Sequence, residues 1–94
     1  MNDPARHEAL CELLREASRV HHQAYIAVDG DDADWPLWYA GYLLERLRKW
    51  LDPALTRSEL VTDLVLAAED HTQNAPDDDW AAHYARFLVS RRGG

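Results

Sequence analysis

The sequence predicts a compact all-α protein, a four-helix bundle that folds as one domain over residues 1–94. Apolar residues recur at intervals of three and four in four segments, which is the spacing of one face of an α-helix. Short stretches rich in Asp, Pro and Gly separate these segments, and no segment alternates strictly as a strand would. Ninety-four residues suit a single core, so we expect no second domain.

The first helix is predicted over residues 4–28. Asn2 or Asp3 caps its start, and Pro4 is tolerated in the first turn. Its apolar side chains fall on one side of the helix, namely Leu10, Leu13, Leu14, Ala17, Val20, Ala24, Tyr25 and Val28. Its end is open, because Ile26 and Val28 also suit an extended chain.

The second helix is predicted over residues 34–51, with Asp34 as its cap and Pro36 in its first turn. We expect one arc to face inward, formed by Leu37, Tyr39, Ala40, Leu43, Leu44, Leu47, Trp50 and Leu51. Trp35, Trp38 and Tyr42 lie on a different side. The first half of this helix is therefore apolar nearly all round and belongs to the core or to an interface.

The third and fourth helices are predicted over residues 57–72 and 79–91. Thr56 and Glu59 have the spacing of a capping box, Asp79 caps the fourth helix, and the chain frays at Arg91 and Arg92. The segment 77–89 is a weaker copy of 31–44, in which Asp79, Trp80, Tyr84 and Leu88 repeat Asp34, Trp35, Tyr39 and Leu43. This suggests two related helical hairpins. The alternative is that both hairpins use the same favourable cap.

The composition excludes several classes of protein. The net charge is −7, which disfavours nucleic-acid binding, and the basic clusters at 46–49 and 91–92 suit the negative ends of helix dipoles. Cys11 is the only cysteine, so no internal disulfide forms. The N-terminus lacks the apolar core of a signal peptide, and no run of 18 apolar residues exists. We therefore expect a cytoplasmic protein that does not bind a membrane.

Metal and cofactor sites are not expected. The acidic loop at 29–34 does not fit the EF-hand pattern, so its carboxylates are interpreted as helix-capping groups. His21 and His71 project onto the apolar faces of their helices and are the candidate metal ligands. However, the Glu-x-x-His signature of a di-iron bundle is absent, and zinc needs three or four ligands. We expect each to be a neutral histidine with one hydrogen bond in the core.

The chain lacks a nucleophile elbow and a glycine-rich phosphate loop, so we do not expect an enzyme. The candidate functional residues are instead aromatic, and they occupy equivalent positions in the two related segments: Trp35, Trp38 and Tyr42, and Trp80, His83 and Phe87. Three interpretations are open. The two sets pack on each other inside the monomer, or part of them forms an exposed interface, or they line a small ligand pocket.

The string Asp34-Trp35-Pro36-Leu37-Trp38-Tyr39-Ala40 resembles a D-W-P-x-[WF]-Y-A motif found in small bacterial proteins of unknown function. A partial repeat of this motif, D-W-x-x-x-Y-A, begins at Asp79. The resemblance implies a compact bacterial helical domain, and it attaches no activity or site residue to the chain.

The leading hypothesis is a non-catalytic helical interaction module without a cofactor. It would self-associate or dock a protein partner through the face of Trp35, Trp38 and Tyr42. The alternative is a bundle that binds a small molecule or a metal through His21 or His71.

Overall fold

The computed structural model describes residues 4–28 and 32–93, and within them the chain forms four α-helices and one short 3-10 helix. The α-helices are α1 (Pro4–Ala24), α2 (Trp35–Arg48), α3 (Arg57–Asn74) and α4 (Trp80–Arg92), and the 3-10 helix covers Ile26–Val28. The predicted all-α four-helix bundle is confirmed. The predicted cap at Asn2 or Asp3 and the loop carboxylates of Asp29 and Asp31 lie outside the described residues.

Two helices end earlier than the sequence predicts, because the chain tightens at each end. The amide of Tyr25 donates to the carbonyls of both His21 and His22, at 3.1 and 3.2 Å, and the 3-10 helix follows. After α2, the amides of Trp50 and Leu51 both donate to the carbonyl of Leu47, at 3.0 and 2.9 Å. Trp50 therefore lies beyond the helix rather than on its inward arc.

The four helices form a closed ring. α1 packs against α2, α2 against α3, α3 against α4, and α4 against α1. The side chain of Arg6 at the start of α1 donates to the carbonyl of Gly93 after α4, at 3.1 Å, so these two helices are antiparallel. The chain thus consists of a first hairpin, α1–α2, and a second hairpin, α3–α4, which pack side by side.

Leucines and alanines make up most of the buried core. Eight leucines are fully buried, and they come from all four helices and the α2–α3 connection: Leu10, Leu14, Leu43, Leu47, Leu55, Leu60, Leu64 and Leu88. Ala17, Ala40, Ala67, Ala81 and Ala85 are buried with them. On α2 the buried stripe is Ala40, Leu43 and Leu47, the three- and four-residue spacing of one helix face.

Four residues predicted to face inward are exposed, namely the small Ala24 and three large residues. Leu37 is 49% exposed, Trp50 is 38% exposed and Val20 is 38% exposed. The predicted arc on α2 was broader than the stripe that the neighbouring helices cover. Leu37 lies in the first turn of α2, and Trp50 follows its last residue.

The helix caps agree with the sequence at two positions and differ at one. The amide of Glu59 donates to Oγ1 of Thr56 at 3.2 Å and the amide of Thr56 donates to Oε1 of Glu59 at 3.0 Å, so the capping box is confirmed. The carboxylate of Asp79 accepts from the amide of Ala82 at 3.2 Å. At Asp34 the predicted cap position is confirmed, but the predicted side-chain bond is absent.

Asp34 occupies the cap position of α2, but its side chain makes no capping bond. Its φ and ψ are −98° and 25°, away from the extended conformation that lets a cap side chain reach the helix amides. Instead, its own amide donates to Oδ1 of Asp32 at 3.0 Å. The carboxylate of Asp32 thus organises the turn that leads into α2.

Asp63 is a fully buried carboxylate on the apolar face of α3. Nε of Arg91 donates to Oδ1 at 2.7 Å and Nε of Arg92 donates to Oδ2 at 2.8 Å. Arg92 also pairs with Glu59, at 3.2 Å, and its bond to Asp63 raises the pKa of its guanidinium. The expected fraying at Arg91 and Arg92 is therefore wrong, because both residues are helical and hold this carboxylate.

Removing one arginine should destabilise the bundle. We expect Arg92→Met to lower the free energy of unfolding by about 2–3 kcal/mol, since a buried carboxylate loses a partner while Arg91 remains. Arg86→Met is the matched control, because Arg86 pairs with Asp78 on the exposed surface, and we expect a loss below about 1 kcal/mol. Urea unfolding followed by circular dichroism measures both. Equal losses would show that burial of Asp63 does not matter.

The two related aspartates should respond differently to truncation. We expect Asp79→Ala to lower the free energy of unfolding by about 1 kcal/mol, because the cap bond to Ala82 is lost. Asp34→Ala should stay within about 0.5 kcal/mol of the wild type, because Asp34 makes no cap bond. The same urea titrations measure both variants. A larger loss for Asp34→Ala would contradict the assigned cap geometry.

Candidate functional site

The aromatic residues predicted on the second side of α2 are half-buried and pack against the core. The rings of Trp38 and Tyr42 stack nearly parallel, with centroids 5.3 Å apart and planes at 8°. The guanidinium of Arg46 lies 4.1 Å from the centroid of Tyr42. Trp38, Tyr42 and Arg46, each four residues after the last, form what we call the aromatic ladder.

The ladder is anchored to α1 through Tyr42. The hydroxyl of Tyr42 donates to Oε1 of Glu16, at 2.5 Å. This hydrogen bond to a carboxylate, together with partial burial, raises the pKa of the Tyr42 phenol. One edge of the ladder is therefore fixed against α1, and Arg46 at its end is exposed.

The equivalent residues of α4 are also half-buried, and they contact rings of the second hairpin. The rings of Trp80 and Tyr84 meet edge-on at 5.3 Å and 83°, as Trp35 and Tyr39 do at 5.4 Å and 85°. Arg91 lies 5.8 Å from the ring centroid of Phe87, the counterpart of Arg46 over Tyr42. The ring contacts of each predicted set thus lie within its own hairpin.

His21 is buried at the centre of a polar and aromatic group that we call the His21 cluster. Its Nε2 lies 3.0 Å from Oδ2 of Asp32, and its ring centroid lies 4.8, 4.9 and 5.4 Å from those of Tyr25, Trp38 and Tyr39. The hydrogen bond from His21 holds the pKa of the Asp32 carboxyl below its usual value. The predicted hydrogen bond to His21 is present, and its partner comes from the loop before α2.

His71 and His83 meet in the second hairpin, with ring centroids 5.2 Å apart. Nε2 of His71 donates to the carbonyl of Asp78 at 2.7 Å, and Nε2 of His83 lies 2.8 Å from Oδ2 of Asp70. Bonds from Asn74 and then His83 lower the pKa of the Asp70 carboxyl. Across residues 4–28 and 32–93, no group of three or more His, Cys, Asp or Glu side chains is placed to hold a metal ion.

Cys11 is 7% exposed, at the face of α1 that packs into the core. Its Sγ lies 3.5 Å from Nε2 of His7, one turn earlier on the same helix. Burial raises the pKa of the Cys11 thiol, which opposes formation of the nucleophilic thiolate. The arrangement is that of a structural thiol.

The two most exposed of the large apolar residues that the structure describes are chain neighbours of residues in the His21 cluster. Ile26, next to Tyr25, is 61% exposed, and Leu37, next to Trp38, is 49% exposed. Asp34 between them in the chain is also exposed. We call Ile26, Asp34 and Leu37 the α2 start surface.

Sequence reasoning missed two of the groups that matter most here. Asp63 lies between Leu60 and Leu64 on the buried stripe of α3, and a charge in such a stripe signals a paired partner. Asp32 was interpreted only as a loop carboxylate, although a histidine on an apolar helix face needs a polar partner close by. The sequence contains no comparable signal for the exposure of Leu37, because that exposure depends on the position of α3.

Comparison of the chain with protein-family models, with curated proteins and with solved structures gives no match. In the part of the chain that the structure describes, no helix has the length and apolar content needed to cross a membrane.

The bond between His21 and Asp32 should make stability depend on pH. Because the folded pKa of Asp32 is lowered, its contribution is full above the pKa of an unfolded aspartate, about 3.9, and is lost as the pH falls through the folded value. We expect Asp32→Asn to be less stable than the wild type at neutral pH, and the gap to close below about pH 4. Urea unfolding across this range measures the gap.

The exposed Asp77, substituted as Asp77→Asn, is the control for the loss of one negative charge. Its difference from the wild type should stay small throughout the titration. A gap between wild type and Asp32→Asn that does not change with pH would show that the carboxylate acts through shape rather than charge.

Proposed function

We propose that the protein is a non-catalytic helical interaction module, in which a protein partner docks on the α2 start surface and the neighbouring outer edge of the aromatic ladder. The observation that carries this proposal is the exposure of Ile26 and Leu37, which are the chain neighbours of Tyr25 and Trp38 in the His21 cluster. Exposed apolar surface is typical of interaction sites, and the two residues, at 61% and 49% exposure, lie in the 3-10 helix before α2 and in the first turn of α2.

The surface is supported by a rigid base. The bond between His21 and Asp32 fixes the turn into α2, and ring contacts with His21 hold Tyr25 and Trp38, the chain neighbours of Ile26 and Leu37. A surface that is already ordered loses less conformational entropy when it binds. The base therefore favours binding without contributing any reactive group.

The composition of the surface suits a binding interface. Burying the exposed parts of Ile26 and Leu37 would contribute on the order of 2–3 kcal/mol. Trp, Tyr and Arg are the residue types that dominate binding energy in interfaces, and the ladder beside Leu37 is made of Trp38, Tyr42 and Arg46. The exposed guanidinium of Arg46 offers a polar contact at the rim.

The second hairpin differs from the first at the proposed binding position, and this difference supports placing the binding surface on the first hairpin. We interpret the two hairpins as duplicated copies, because the pairs Trp35–Tyr39 and Trp80–Tyr84 have the same geometry. The counterpart of Leu37 in the second copy is Ala82, which is half-buried and packs against the core. The copies differ at the position where we propose the partner binds.

The potentially reactive side chains of the bundle are engaged or buried. Nε2 of His21 bonds to Asp32, and Nε2 of His71 bonds to a backbone carbonyl. The lone Cys11 is buried and suits a reducing compartment such as the cytoplasm. These features favour a binding role over catalysis.

A photo-crosslinking amino acid at position 37, incorporated in cells that express the protein, tests the proposal. We expect a discrete crosslinked adduct, because the side chain of Leu37 would contact the partner. The same amino acid at position 73 is the control, since Gln73 is exposed near the end of α3 on the other hairpin, and it should give no adduct of that size. Absence of an adduct at position 37, or an identical adduct at both positions, would contradict the proposal.

A further inference from the structure

The two hairpins complete the core together. In the ring of helices, α1 packs against α4 and α2 packs against α3, so each hairpin covers one side of a shared core. Three arginine contacts also join the hairpins, namely those of Arg6 with Gly93, Arg57 with Leu37 and Arg15 with Asp79. Each hairpin therefore needs a second hairpin to cover its apolar face.

The buried faces of the two hairpins follow one pattern. The buried residues with equal spacing are Leu10, Leu14 and Ala17 in α1 and Leu60, Leu64 and Ala67 in α3, together with Ala40 and Leu43 in α2 and Ala85 and Leu88 in α4. The packing of α1 on α4 thus corresponds to the packing of α3 on α2, as in an interface between two identical hairpins around a twofold axis. A second copy of the chain offers the first hairpin a partner with the same contacts.

One turn decides which second hairpin the first hairpin meets. Residues 49–56 connect α2 to α3. Within them, the amide of Ala54 donates to Oδ1 of Asp52 at 2.8 Å, and the amide of Leu55 donates to the carbonyl of Asp52 at 3.0 Å. We call this the Asp52 turn. It directs the chain back, so that α3 packs on α2 of the same copy.

The chain on either side of the Asp52 turn is anchored to the bundle. Leu55 is fully buried, and Nε of Arg48 donates to its carbonyl at 2.9 Å. When extended, residues 48–55 span about 25 Å. The narrowest dimension of the bundle is 22 Å. The connection is therefore long enough to place α3 on the α2 of a neighbouring copy, where Arg48 of one copy meets Leu55 of the other.

We propose that two copies of the chain exchange their second hairpins, with the Asp52 turn as the hinge. In the exchanged dimer, the first hairpin of each copy packs against the second hairpin of the other, and the contacts between hairpins are those of the monomer. Cys11 is the only cysteine, so no disulfide joins the two hairpins of one copy. The closed monomer is favoured at low concentration, because it keeps the Asp52 turn and needs no second chain. The exchange uses buried faces, so it does not depend on a partner at the α2 start surface.

Sedimentation velocity on protein refolded over a range of concentrations tests the hinge. We expect Asp52→Ala to raise the dimer association constant at least about tenfold, because each of the two monomers in a dimer has lost a hydrogen bond that only the closed form makes. Asp52→Asn is the matched control, since its side-chain oxygen still accepts from Ala54, and it should associate as the wild type does. Arg48→Met is a second control that should not shift the equilibrium, because its bond to Leu55 is made in both forms.

Ala54→Pro removes the other partner of the same hydrogen bond. Proline has no amide to donate, and it favours an extended conformation at the preceding Pro53. The variant should therefore shift the equilibrium towards the dimer as Asp52→Ala does, and circular dichroism checks that every variant keeps its helices. The proposal is overturned if both variants stay monomeric at the highest concentration, or if Arg48→Met shifts the equilibrium as far as they do.

Crosslinking between chains distinguishes hairpin exchange from association through outer surfaces. One Asp52→Ala chain carries Arg15→Cys and another carries Asp79→Cys, because Arg15 and Asp79 pair across the contact between α1 and α4. Each closed monomer then holds only one of the two added thiols. After the two chains are refolded together, a short bis-maleimide should link them into a covalent dimer.

Two control samples accompany this mixture. Arg19→Cys replaces Asp79→Cys in the first, because Arg19 is an exposed residue of α1 and the two first hairpins of an exchanged dimer lie in separate bundles. This mixture should give no covalent dimer. The chain without an added cysteine measures any reaction of the buried Cys11. A dimer that gives no link between positions 15 and 79, or equal linking in both mixtures, overturns hairpin exchange.

Discussion

The buried carboxylate of Asp63 is the constraint on which the closed ring of helices depends. A charge removed from water needs opposite charges and hydrogen bonds around it, and Arg91 and Arg92 supply both from the last turn of α4. Holding that turn against α3 also fixes the position of Gly93, whose carbonyl receives the side chain of Arg6. One ion-pair network in the second hairpin thereby helps to place the start of α1 and to close the bundle.

The first hairpin uses a different polar group for a related task. His21 lies where a core leucine would fit, and its bond to Asp32 ties the end of α1 to the turn before α2. His71 does the same in the second hairpin through the carbonyl of Asp78. In both hairpins the inward histidine fixes the connection to the next helix. His21 is buried in the core, whereas His71 is half-buried at its edge.

The sequence predicted the parts of the fold that depend on local spacing. Apolar periodicity located four helices, and the Thr56 capping box and the Asp79 cap appear as predicted, because each depends on residues close in the chain. Asp34 failed as a cap because the neighbouring Asp32 took over the turn. The exposure of Leu37, like the partners of Asp63, depends on how distant helices pack, and helical periodicity contains no information about that. The most exposed apolar residues near the start of α2 are therefore not the aromatic residues that the sequence points to as candidates.

Chemical labelling of the buried Cys11 thiol would measure how often the bundle opens locally. The thiol is 7% exposed and burial raises its pKa, so a thiol reagent reaches it only when the packing around α1 loosens. Its labelling rate, compared with that of an unfolded thiol, then measures the free energy of that opening in the folded protein. Because the cysteine is single, the signal comes from one place. The chain thus carries a site-specific probe of local fluctuation that needs no engineering.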